Sequence, residues 1–160
     1  MGSQLKTEEL AYIAGFLDGD GSLMLQIKKR RDSNNGWRFM FTICFYQDTR
    51  HEKPLLWIKK KLEIGYISRR NDGITELRIN GYEQSRRVLK MLLPYIRFKK
   101  IQAVEILKAA RILYKRNISG LHFSQKSMLK DIILRIQKEN YQSRAKRSSK
   151  ELSKVLGLTP

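Results

Sequence analysis

Cysteine is almost absent from this 160-residue chain, and the lone Cys44 excludes an internal disulfide framework. No Cys-x-x-Cys pair occurs and His51 and His122 are solitary, so no ligand spacing for structural zinc is present. Nothing close to Cys44 in sequence would lower its pKa, so it reads as a small buried or groove-facing side chain rather than a nucleophile. No apolar run approaches the length of a membrane span. The N-terminus lacks the charged start, apolar centre and cleavage site of a secretory signal. The expectation is an intracellular protein without a membrane partner, in the cytoplasm of a prokaryote or in an organelle. Acid is the other deficit: 15 Asp and Glu face 33 Lys and Arg, a net charge of +18. A charge of that size attracts polyanions with a salt-dependent affinity, which makes nucleic acid the leading partner.

What is present suffices for a folded domain. With 41% hydrophobic and 9% aromatic residues, the chain can build a sizeable core as one domain over 1–160. Its core is expected over about 7–116, with a helical, basic extension over about 117–160. Thr7 reads as the cap of a helix reaching about Asp18, with Glu8 and Glu9 at the positive end of its dipole. Residues 22–31 alternate, with Leu23, Leu25 and Ile27 on one face and Gln26, Lys28 and Arg30 on the other. After the turn signal at residues 33–36, Phe39, Phe41, Ile43 and Phe45 oppose Arg38, Met40, Thr42 and Cys44, so two long strands form a hairpin.

Pro54 suits the first turn of a helix through Leu55, Ile58 and Leu62, with Lys59, Lys60 and Lys61 outward and Gly65 as its stop. The Asp72-Gly73 signal joins strands over 66–70 and 74–79. Asn80 and Glu83 resemble a capping box for a helix closed by Pro94. A helix over 99–115 should bury Ile101, Val104, Ile106, Leu107 and Ile112. One over 124–140 should bury Met128, Ile132, Ile133 and Ile136. The basic run 141–150 reads either as a solvated tail or as a segment that orders on phosphate. The fold class is α+β, not alternating β/α.

Chemistry concentrates at residues 13–21, Ile-Ala-Gly-Phe-Leu-Asp-Gly-Asp-Gly: small residues that allow close helix approach, then two aspartates at a glycine stop. A calcium loop counted from Asp18 fails, because Leu23 and Lys29 occupy the positions that need glycine and glutamate. No phosphate-loop pattern and no Gly-x-Ser-x-Gly elbow occurs. Gly65-Tyr66-Ile67 reads as a turn entering a strand.

The nonapeptide closely resembles the LAGLIDADG signature of homing endonucleases, in their single-motif, homodimeric subgroup. The order of elements from Thr7 to about Lys115 resembles that family's αββαββα core, a saddle-shaped antiparallel sheet for DNA, followed here by C-terminal helices. The segment 94–100 resembles the basic turn after its third core helix. The resemblance implies an intron-encoded endonuclease that uses Mg²⁺, with Mn²⁺ able to substitute, and leaves short 3′ overhangs in double-stranded DNA. It further implies that Asp20 and the Gly19 carbonyl bind metal, that Gln47 orders the attacking water, and that Lys99 stands near the scissile phosphate. The family's arginine after Gln47 falls on either Arg50 or His51. Metal activates water and offsets charge on the phosphate, while a lysine supports the pentacovalent state.

One motif implies two chains, packed through Ala11, Ala14 and Gly15 with Asp18 at the interface or helix end, on a nearly palindromic site. Gln26, Lys28, Arg30, Arg38, Met40, Thr42 and Cys44 are expected in the major groove. Ser68, Arg70 and Thr75 are added more weakly, with Arg69 and Arg78 competing for the same face. The alternative is a non-cleaving binder on the same scaffold, such as an RNA maturase.

Overall fold

A computed structural model of the chain describes residues 5–32, 36–140 and 146–158. The first helix, α1 (Thr7–Asp20), begins one residue earlier than its threonine cap would place it. Lys6 is the capping residue, and the Glu9 carboxylate accepts its backbone N–H at 3.1 Å. At its other end α1 runs two residues past Asp18 and passes without a connector into β1 (Gly21–Lys29). Gly21 makes that junction possible. A Cβ there would stand 2.6 Å from the Leu17 carbonyl oxygen.

The long strands form as expected. β1 pairs antiparallel with β2 (Trp37–Asp48) from Gly21 opposite Phe45 to Lys29 opposite Trp37. The expected turn falls partly on residues 33–35, outside the described residues. A short 3-10 turn (Thr49–His51) leads to α2 (Lys53–Leu62), which buries Leu55, Ile58 and Leu62. Its left-handed stop is Glu63, with φ of 54°, rather than Gly65. Gly65 serves the next turn: its φ is 92°, and a Cβ would lie 2.8 Å from the Arg78 carbonyl oxygen.

Strands β3 (Tyr66–Arg69) and β4 (Ile74–Asn80) close a four-stranded antiparallel sheet in the order β1-β2-β4-β3. Asn80 belongs to β4, so the expected capping box does not form. Gly81 precedes α3 (Tyr82–Leu92) without a side-chain cap.

The next helix turns a face other than the one its apolar spacing suggested, and the one after it departs at Met128 alone. α4 (Lys100–Ile112) buries Gln102, Ala103, Glu105, Ile106, Ala109 and Ala110, while Ile101 is 52% exposed. α5 (Phe123–Glu139) buries Leu129, Ile132, Ile133 and Ile136, and Met128 is left exposed. The reason is contact. α5 packs along α4, and alanines bring the two backbones closer than large side chains would.

The end of the basic run is ordered. Arg147 lies over the Trp37 ring and exchanges backbone hydrogen bonds with the Gln137 side chain at 2.9 Å each way. Ser148 caps α6 (Ser149–Leu156), which lies in the expected helical extension, although no sequence pattern marked its bounds. The helices cover one side of the sheet, where Leu23, Leu25, Ile27, Phe41, Ile43, Phe45, Leu77 and Ile79 join their apolar faces in one core. Among the described residues no helix is long and apolar enough to cross a membrane.

Candidate active site and nucleic-acid interface

Residues of opposite parity line the side of the sheet away from that core. β1 contributes Ser22, Met24, Gln26 and Lys28, paired in register with Cys44, Thr42, Met40 and Arg38 of β2. Arg30 follows the strand end, and its guanidinium is held by Asp32 at 3.0 Å. Thr42 and Cys44 point to this side but reach no solvent, at 1% and 0% exposure, and this corrects their placement among groove-reaching side chains. Thr42 donates to Asn80 at 2.9 Å, and Asn80 in turn donates to the Tyr66 hydroxyl at 3.0 Å, so a polar chain crosses three strands above them. Burial pushes the Cys44 thiol up to about 11 and the Tyr46 hydroxyl up to about 12.

The second hairpin resolves the competition between its arginines. With Leu77 and Ile79 in the core, Glu76, Arg78 and Asn80 take the open side, opposite Ser68 and Tyr66 of β3. Arg70 follows on that side. Glu76, 5% exposed, accepts from Arg70 at 3.2 Å and from Arg78 at 2.9 Å. Thr75 and Arg69 take the other side, which corrects Thr75 as a DNA contact. Thr75 is fully buried, bonded to Thr49 at 2.9 Å and to Glu52 at 2.7 Å, and Arg69 grips the same Glu52. Of the two competing arginines, Arg78 thus takes the open side, and Met24, Tyr46, Tyr66, Glu76 and Asn80 join it there, unmarked by any sequence motif. Counting outward from Leu77 and Ile79 was the signal that could have found the last two.

At one end of this sheet the acidic motif meets the basic turn. Asp20 and Gly19 are both exposed in the last turn of α1, where unpaired carbonyls and the negative end of the helix dipole gather. That turn contains no basic residue of its own. Lys99 supplies one from 81 positions away: its ammonium donates to the Asp18 carbonyl at 2.5 Å. Burial pulls the Lys99 ammonium down, while the charges of Asp18 and Asp20 both act to hold it up. Gln47 lies at the same end of the sheet, two residues past Phe45, the partner of Gly21. Its side-chain oxygen accepts the Asp48 N–H at 2.9 Å. Arg50 is engaged by Asp48 through its backbone N–H and its guanidinium, at 2.8–3.0 Å, and His51 is exposed beside it.

The donors fit a divalent cation in kind. A carboxylate and a backbone carbonyl are hard oxygen ligands, and both positions are open to solvent. Among the described residues no cluster of three or more His, Cys, Asp or Glu stands ready to hold a metal within one chain. The four residues expected at a dimer interface divide. Ala11 and Gly15 are exposed, and a Cβ on Gly15 or Gly19 would meet nothing within 4 Å. Ala14 and Asp18 face into their own chain, at 0% and 9% exposure, which corrects their assignment to an intermolecular surface.

Comparison with known proteins sets this geometry in context. The model of a family described as LAGLIDADG endonuclease matches residues 13–111. The DNA endonuclease I-CvuI of Chlorella vulgaris is 33% identical over 105 residues, 66% of this chain and 65% of that protein. The DNA endonuclease I-CreI of Chlamydomonas reinhardtii is 28% identical over 108 residues, 68% of this chain and 66% of that protein. In sequence the chain thus spans just under two thirds of both curated relatives. In structure, I-CvuI in complex with the I-CreI target in the presence of 2 mM Mg superposes with a TM-score of 0.74 at 28% identity, over 96% of this chain and 97% of that one. The archaeal intron-encoded homing endonuclease I-Vdi141I, complexed with DNA, shares the fold with a TM-score of 0.78 at 21% identity, over 94% of this chain and 96% of that one.

Proposed function

This chain belongs to the LAGLIDADG endonuclease family, and on that premise we propose that it is a metal-dependent homing endonuclease acting as a homodimer. Its substrate is a long, nearly palindromic double-stranded DNA site, cut in both strands with short 3′ overhangs, and its reading frame is carried by an intron. One observation carries the proposal. The exposed Asp20 carboxylate and the half-buried Lys99 ammonium share one helix end, with their charges coupled.

A phosphodiester is a shielded anion, so its hydrolysis needs charge neutralised as the pentacovalent state forms. Lys99 supplies a fixed positive charge for the scissile phosphate. Asp20 and the Gly19 carbonyl would hold a divalent cation, Mg²⁺ with Mn²⁺ as substitute. Bound there, such an ion lowers the pKa of water and offsets charge on phosphate. Gln47 orders the attacking water. The dimer forms through the exposed stripe of α1, Ala11 and Gly15, which places two Asp20 carboxylates at one symmetric centre. Gln26, Lys28, Arg30, Arg38, Met40, Ser68 and Arg70, joined by Arg78, face the grooves on either side of it.

Asp20→Asn tests the reading. Cleavage of a selected target in Mg²⁺ should fall by more than about a thousandfold, the upper range for loss of a group that stabilises a transition state. DNA affinity measured without metal should stay within about threefold, because no groove contact is removed. Equal loss of cleavage and binding would overturn the role of Asp20. A wild-type protein that binds RNA but makes no Mg²⁺-dependent double-strand cuts in a DNA library would overturn the function itself.

A further inference from the structure

The Asp18 side chain accepts three backbone N–H groups at the candidate active site, although it faces away from solvent. Its Oδ2 accepts the backbone N–H of Arg97 at 2.6 Å and of Phe98 at 3.2 Å, and its Oδ1 accepts that of Lys99 at 3.0 Å. Its carbonyl accepts the Lys99 ammonium. One residue thus ties the segment between α3 and α4 to the last turn of α1 through four hydrogen bonds. Both carboxylate oxygens are engaged as acceptors. An amide offers one acceptor and a pair of donors, so at that position it would turn an N–H toward another N–H. The arrangement exceeds what a helix end requires, because the backbone bonds fix residues 97–99, Lys99 among them, rather than α1.

We propose that Asp18 is a positioning residue for Lys99, setting where the ammonium stands relative to Asp20 two residues further along the same helix. This rests on the reading of Lys99 as the cation at the scissile phosphate. Displacing a charged group by about 1 Å costs on the order of a hundredfold in rate, so the contribution of Asp18 belongs in turnover and not in DNA binding.

The experiment compares Asp18→Asn, Lys99→Ala and the double variant in the full-length protein, with single-turnover cleavage, metal-free DNA affinity and amide hydrogen exchange as readouts. Asp18→Asn should slow cleavage ten- to a hundredfold, leave DNA affinity within threefold, and speed exchange at the Arg97, Phe98 and Lys99 amides. On the Lys99→Ala background it should slow cleavage no further, because its effect passes through the missing ammonium. Multiplying effects in the double variant would overturn the proposal while leaving the role of Lys99 intact. Wild-type cleavage by Lys99→Ala would instead remove the premise and the proposal together. Should the amide variant fail to fold, Asp18→Ser, which keeps one acceptor, permits the same comparison.

Discussion

Cys44 lies on the open side of the sheet, beside Arg78, yet it has no accessible surface and its thiol is raised to about 11. Both properties make it inert. In native protein at pH 8–9 a thiol reagent should leave Cys44 unmodified by mass spectrometry, and unfolding should release full labelling. Rapid native labelling would mean that the sheet opens around β2. The sign of the linkage follows: with the folded pKa above the unfolded one, Cys44 favours the folded state below about pH 9, and that contribution fades as pH climbs toward 11. Thr75 makes the complementary case. Thr75→Ala removes the donor to the partly buried Glu52 carboxylate and should cost about 1–3 kcal/mol, read as a lower urea midpoint with unchanged slope. A midpoint equal to wild type would show that Thr49 or water replaces it. Asp20 and Lys99 were legible because their residue types and the motif around Asp20 are distinctive. The partners of Asp18 were not, since they lie 79 to 81 positions away and bond through backbone N–H groups that no side-chain pattern encodes.

At the scale of elements, alternation carried most of the information. β1 and β2 bury the residues that their period of two assigns to the core, Phe39 only in part, because one side of the sheet is covered and a slip would expose every apolar side chain. Helices were less legible. α4 was read by its large residues, but alanines line its buried side, and the closeness of α5 is a tertiary fact. α1 was read as a small-residue face without a way to divide it, and the structure splits Ala14 inward from Gly15 outward. Gly15→Leu should therefore leave the monomer fold intact, since space is open around that position. It should also force paired motif helices apart. Light scattering should report a monomer with an unchanged circular dichroism spectrum, whereas a stable dimer would place the interface on another surface. Gly21→Ala should do the reverse, lowering the melting temperature through its collision with Leu17, with association following only as folding fails.

For the whole molecule the dominant quantity is charge. A net +18 set against DNA releases counterions on binding, so affinity should drop by about a thousandfold or more between 50 and 200 mM salt if six or more phosphates are contacted. An affinity that ignores salt would exclude a phosphate-tracking surface. Composition pointed to a polyanion, but it could not foretell that buried Glu76 would tether Arg70 and Arg78 in the middle of the open side of the sheet. The junction between α1 and β1 has a consequence for measurement along DNA. With no residue between Asp20 and Gly21, the strand is a ruler whose zero mark is the acidic residue. Gln26 and Lys28 stand six and eight residues from that mark. At about 3.4 Å per residue, these are about 20 and 27 Å away. Base pairs rise by nearly the same step, about 3.4 Å. With β1 laid along a groove, each same-facing side chain would advance about two base pairs from the cut. A single inserted residue would not lengthen the ruler; it would turn its graduations toward the core.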